Sequence, residues 1–174
     1  MLGLLFTAQH SNMVEKLILI SCGTFSAEDS AKIDHTRLGR LSETERQQVQ
    51  EILKNSGNKL ERLIEIFLHV DVYEGMTRNL EISEYQDDLF NKVWSDFQTL
   101  RDTPSYIANE FSKIKIPVVL IQGDYDPHSV DYIYPFLKKY IQKIDVHVLE
   151  KCGHYPCIER YARDPFFELL KSDL

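Results

Sequence analysis

Glu150-Lys151-Cys152-Gly153-His154-Tyr155-Pro156 follows an apolar, strand-like run from Ile144 to Leu149 and sets one histidine directly after a glycine. Upstream, Val118-Val119-Leu120-Ile121-Gln122 is a second run of buried-strand character, and it breaks at Gly123 into a turn carrying Asp124 and Asp126 before Pro127. Between the two, residues from about Ser129 to Ile141 read as a helix, and a further helix is predicted around Pro165 to Leu170. The resulting βαβα alternation predicts parallel strands joined by a helical crossover, with the loops at the strand C-termini sharing one rim. Asp126 and His154 both fall on that rim, so the topology itself predicts that they are neighbours.

Working towards the N-terminus, Val14 to Ser21 is a near-continuous apolar run, typical of a parallel strand covered on both faces. Met1 to His10 reads as a buried helix, and Ser11-Asn12 turns the chain between them. From Cys22 to about Tyr106 the pattern changes to amphipathic helix. Ser42-Glu43-Thr44-Glu45 is a capping box that starts a helix bearing Val49, Ile52 and Leu53 and stopping near Gly57. Leu60, Leu63, Ile64, Phe67 and Leu68 form a second stripe; Leu89, Phe90, Val93, Trp94, Phe97 and Leu100 form a third, ended before Pro104. These stripes fit helices that complete a core as well as helices that roof a site.

The 174 residues, 43% of them hydrophobic, suffice for one core, so a single domain with a helical insertion is expected. The formal net charge of -7, with no Lys/Arg cluster, excludes a nucleic-acid binder, because phosphate contacts need a basic face. Three cysteines, Cys22, Cys152 and Cys157, and no basic-then-apolar leader read as a reduced, cytoplasmic protein. No apolar run approaches the length of a membrane span, so no membrane partner is expected.

A histidine that takes a proton from a nucleophile needs a carboxylate on its other ring nitrogen to hold the tautomer and stabilise the imidazolium. His154 suits the base, and an acid of the Asp124/Asp126 turn suits the orienter. The competing reading of an Asp-Pro turn is an aspartate that accepts local backbone N–H groups. His147 alternates with Val146 and Val148 in a strand, and His10, His35, His69 and His128 have no spaced partner in the sequence. Cys152, His154 and Cys157 sit in too short a frame for a closed zinc site, so no metal is expected. Tyr73 and Trp94 read as core aromatics in preference to pocket walls.

The order strand, acid turn, helix, strand, Gly-His turn resembles the C-terminal part of the α/β-hydrolase fold, whose triad runs nucleophile, acid, histidine along the chain. That family's Gly-x-x-Asp pattern selects Asp126 over Asp124, which leaves Asp124 to cap the turn, and its Gly-His-x-Pro pattern selects His154. The resemblance implies a partial α/β-hydrolase fold: a short parallel sheet flanked by helices, with residues 1–25 as core helix and strand, 26–108 as a helical cap insertion and 109–174 as core with the acid and His turns. It implies a serine hydrolase that, when complete, cleaves an ester, amide or C–C bond of a small-molecule substrate without a cofactor. Met1 aligns just after the family's nucleophile elbow, whose serine falls about four residues earlier. No Gly-x-Ser-x-Gly occurs in the chain, and the family's oxyanion-hole loop has no counterpart, so the expectation is a C-terminal portion that is inactive as it stands. A non-catalytic binding or scaffold protein on the same remnant is the alternative, and an enzyme of another kind using His154 alone is a third. In the family the nucleophile strand pairs with the strand here read as Val14 to Ser21, which predicts a homo-oligomer joined through that edge.

Overall fold

The computed structural model describes residues 1–54, 59–76 and 86–173. Its elements run α1 (Leu2–Gln9), β1 (Leu17–Ile20), α2 (Ala27–Arg40), α3 (Glu43–Lys54), α4 (Lys59–Asp71), α5 (Asp87–Arg101), α6 (Pro104–Phe111), β2 (Val118–Gly123), α7 (Val130–Lys138), β3 (Ile144–Leu149) and α8 (Arg163–Asp173). The strands form one parallel sheet in the order β1-β2-β3, with Leu17 opposite Val118 and Val118 opposite Ile144.

The central strand β2 is buried at every position, as a strand covered on both faces must be. Its side chains alternate between two cores. Val118 and Leu120 join Leu4, Phe111, Ile133 and Leu137 on one side of the sheet, while Val119 and Ile121 join Leu149, Ala162 and Phe166 on the other. Each fully buried Leu, Ile or Phe here contributes about 2 kcal/mol of transfer free energy. The first strand departs from expectation: it is shorter than the apolar run from Val14 to Ser21, and Ile20 is 41% exposed, so it is not covered on both faces. Among the described residues β1 pairs only with β2, which makes it an edge strand.

Among the described residues between β1 and β2, helices α2 to α6 predominate. The capping box forms as read: the Ser42 N–H donates to Glu45 Oε2 at 2.8 Å and the Glu45 N–H to Ser42 Oγ at 3.3 Å. Val49 and Ile52 turn inward, and Leu53 is exposed. A small core of Leu41, Val49 and Val70, with Leu63, Ile66 and Phe67 against it, holds these helices together. Gly57, and the side chain of Leu60, lie outside the described residues. Helix α5 forms where its stripe predicts, but Leu89, Phe90, Val93 and Trp94 are exposed, so this stripe does not complete a core. Helix α6 crosses residue 108 and packs against α1. No helix among the described residues is long and apolar enough to cross a membrane.

The helical segment is laced to the turn after β3. Asp71, the last residue of α4, accepts the His154 N–H on its carbonyl at 2.7 Å, the Met76 N–H reaches the Ile158 carbonyl at 2.8 Å, and the Arg160 N–H reaches that of Glu74 at 2.8 Å. This closeness demands glycine: a Cβ on Gly153 would lie 1.9 Å from the Asp71 carbonyl oxygen, and one on Gly123 would lie 2.1 Å from that of Cys152. Gly153→Ala is therefore expected to cost about 3 kcal/mol or more, because backbone on both sides must move. Urea unfolding of this variant against the parent measures it; an unchanged midpoint would contradict the packing described.

Candidate active site

Asp126 stands in the turn that follows β2, its N–H bonded to the Gly123 carbonyl at 3.3 Å, and its side chain is fully buried. Four donors reach the carboxylate. Oδ1 accepts the backbone N–H of His128 at 2.8 Å and His128 Nδ1 at 2.9 Å. Oδ2 accepts Gln122 Nε2 at 2.6 Å and His154 Nδ1 at 2.9 Å. The two imidazoles stack over one another, centroids 4.4 Å apart and planes 29° apart.

Gln122 is the hub that aims this carboxylate. Fully buried at the end of β2, it donates to Asp126 and to the His128 carbonyl at 2.8 Å, and its Oε1 accepts the Cys22 N–H, just beyond β1, at 2.9 Å. The turns after β2 and β3 are tied directly: Tyr125 N–H to the Cys152 carbonyl at 2.9 Å, and Cys152 N–H to Asp124 Oδ1 at 3.1 Å. Asp124 thus bridges two turns instead of capping its own. Tyr132 hydroxyl bonds to the Pro127 carbonyl and holds the Asp-Pro-His segment against α7.

Burial opposes the charge on Asp126, but the hydrogen bonds from His128 and His154 outweigh it and bring its carboxyl down to about 2. Burial also holds His128 below the ordinary imidazole value despite its bond to Asp126. An ionised carboxylate only accepts, so each Nδ1 that bonds to it carries a proton. In the neutral rings this leaves Nε2 of both histidines as lone-pair acceptors. A cavity of about 760 Å³ opens over the pair, walled in part by Leu63, Ile64, Phe67, Phe90 and Trp94, with the Arg37–Asp71 ion pair and Tyr155 at its floor.

Asp126 and His154, read from sequence as a pair, are brought together. His128, dismissed for want of a spaced partner, shares the same carboxylate; the missed signal was its position two residues after Asp126, beside a Gln inside an apolar strand. Cys152, His154 and Cys157 do not gather: Cys152 is buried with its thiol pushed up to about 12, mainly by desolvation, and Cys157 is exposed. Trp94 is 44% exposed and faces the cavity, and Tyr73 packs edge-on against Tyr125 at the surface, so neither is a core aromatic.

The lowered Asp126 value carries a sign for stability. A carboxyl depressed in the fold contributes stability that is present above its unfolded value of 3.8 and lost as pH falls towards 2, about 2 kcal/mol in this case. His128, also depressed, adds a loss that begins as pH falls through the ordinary histidine range. Urea unfolding at descending pH should show this decline, with Asp126→Asn removing its section below about pH 4; an unaltered acid limb in the variant would refute the assignment.

No protein-family model matches the sequence, and no curated protein sequence matches it. Solved structures do. The chain superposes on VinJ with a TM-score of 0.62 at 13% identity, covering 99% of this chain and 61% of that one. A proline iminopeptidase of Mycobacterium smegmatis gives 0.57 at 12% identity, covering 99% and 60%. An α/β fold family hydrolase of Bacillus anthracis str. Sterne gives 0.56 at 12% identity, covering 99% and 63%. The chain thus spans about 60% of the length of the structures it matches, and its three-stranded parallel sheet with flanking helices is a partial α/β-hydrolase fold.

Proposed function

We propose that Asp126 and His154 are the acid and base of a serine-hydrolase triad. The observation that carries this reading is the 2.9 Å contact between His154 Nδ1 and the buried Asp126 carboxylate, at the strand C-termini and beneath a cavity. With Nδ1–H held by Asp126, His154 Nε2 presents a lone pair that takes the proton of an attacking hydroxyl and later returns it to the leaving group. Asp126 fixes the ring and stabilises the imidazolium. The attacking serine and the oxyanion donors are not supplied by any Gly-x-Ser-x-Gly in these 174 residues, so the reading requires them from sequence outside the chain, and as it stands the chain is inactive. In this proposal residues 26–108 form the cap. Its apolar walls suit the hydrocarbon part of a small ester, amide or C–C substrate. The free thiols fit a reducing compartment, which supports placing the protein in the cytoplasm.

The test is the reading frame upstream of the Met1 codon. An in-frame Gly-x-Ser-x-Gly is expected, and in the product that contains it a fluorophosphonate probe should label that serine, with labelling slowed on the order of 10⁴-fold by Asp126→Asn and at least as much by His154→Ala. Equal labelling of the His154→Ala form would refute the role given to His154.

A second reading, a non-catalytic binding or scaffold protein, is favoured by exposed apolar surface, Leu2 of α1 and Phe90 and Trp94 of α5, and by the edge of β1 that is unpaired among the described residues. We propose that this edge pairs with that of a second copy, since an unpaired strand is a ready template for another. Light scattering on the eluting protein should give at least a dimer at micromolar concentration; a clean monomer there would exclude the association.

A further inference from the structure

We propose that Asp126, His128 and His154 form a binding site for a divalent first-row transition ion such as Zn²⁺, and that its occupancy removes His154 as a base. The donor set is two imidazole nitrogens and one carboxylate, and their ligand atoms all lie within 4.8 Å of one another. Each imidazole Nδ1 already stands 2.9 Å from a carboxylate oxygen, His128 from Oδ1 and His154 from Oδ2. Ligands bound to zinc at about 2.0–2.2 Å stand roughly 3–4 Å apart, so to seat an ion the hydrogen-bonded pairs open slightly and the wider spacings close. No other group of three such side chains comes together among the described residues.

The site is also held in place before any ion arrives. Gln122 Nε2 on Oδ2 and the His128 N–H on Oδ1 orient the carboxylate independently of the two imidazoles. Gln122 is itself fixed by the Cys22 N–H and the His128 carbonyl. Such outer partners preserve ligand geometry and affinity. The nearby Arg37 guanidinium is already paired to Asp71. His128 and His154 both line the cavity, whereas the Asp126 side chain is fully buried. Imidazole donors select zinc or copper over magnesium and calcium.

Binding converts chemistry without net proton release. On each neutral ring the proton moves from Nδ1 to Nε2 while Nδ1 takes the metal, so two N–H···O hydrogen bonds are exchanged for two metal–nitrogen bonds. His154 then carries its proton on the nitrogen that the proposed triad uses to accept one. This consequence rests on the hydrolase reading; the metal site itself rests on geometry alone.

The test uses Co²⁺ as a visible reporter, titrated into the chain with Cys157→Ser to remove the one exposed thiol. One equivalent should bind with a d–d absorption band, Zn²⁺ should displace it, Mg²⁺ should not, and His128→Ala should weaken binding by about 100-fold or more, beyond the 10–100-fold of an outer-partner loss. In the parent chain, which needs no variant to fold, Zn²⁺ should shift the Nδ1 resonances of His128 and His154 and leave His69 and His147 unmoved. Absence of saturable binding, unchanged affinity in His128→Ala, or shifts confined to His69 or His147 would each overturn the site. These arms read metal alone, so they succeed or fail whether or not the protein hydrolyses anything; in a serine-bearing form, Zn²⁺ that binds without slowing fluorophosphonate labelling would overturn the switching role only.

Discussion

A carboxylate taken fully out of water costs several kcal/mol unless donors replace the lost hydration. Asp126 meets that demand with four, and they come from three parts of the chain: Gln122 at the end of β2, His128 before α7, and His154 after β3. The placement of these parts follows from the requirement. The turns after β2 and β3 must touch for His154 to reach the acid, and Gly123 permits it because the Cys152 carbonyl occupies the space a side chain would need.

A second buried acid performs the matching task for the helical segment. Glu159 accepts the N–H groups of Gly153 at 2.6 Å, Tyr73 at 2.8 Å and Glu74 at 2.9 Å. It therefore clamps the segment that follows α4 to the same turn that carries His154. Arg37 in α2 binds Asp71, and Arg40 reaches the carbonyls of Val70 and Tyr125. The helices over the cavity are thus registered to the histidine by main-chain and charge-assisted hydrogen bonds, although their own hydrophobic contacts are few.

The parts of the fold legible in the sequence were those set by local pattern. The apolar runs of β2 and β3, the Ser42 capping box and the Gly-His turn each carry their signal within a few residues; strand order brought the acid turn to His154, and the Gly-x-x-Asp resemblance selected Asp126 within it. Helix α2 was not legible, because Ile33 is its only buried hydrophobic residue and its stability comes from the Ser26 cap and from Arg37 and Arg40 on distant partners. The exposure of Trp94 and the sharing of Asp126 by His128 were not legible either. Both depend on what lies opposite a side chain in space, and periodicity reports only that an apolar face exists.

The four-donor carboxylate also bears on how the proposed pair divides its work. A carboxyl held at about 2 is a very weak base, so Asp126 does not take the proton from an imidazolium at His154. Its contribution is confined to holding Nδ1–H in place and to a fixed negative charge beside the ring. His128 draws on that same charge through its own bond to Oδ1, so part of what Asp126 offers His154 is already spent on a second ring. The arrangement therefore gives up some electrostatic stabilisation of the imidazolium for a carboxylate that stays ionised and correctly aimed far below neutral pH. That balance suits the orienting role proposed for Asp126, and it ties the stability of the turn to the same hydrogen bonds that would serve the chemistry.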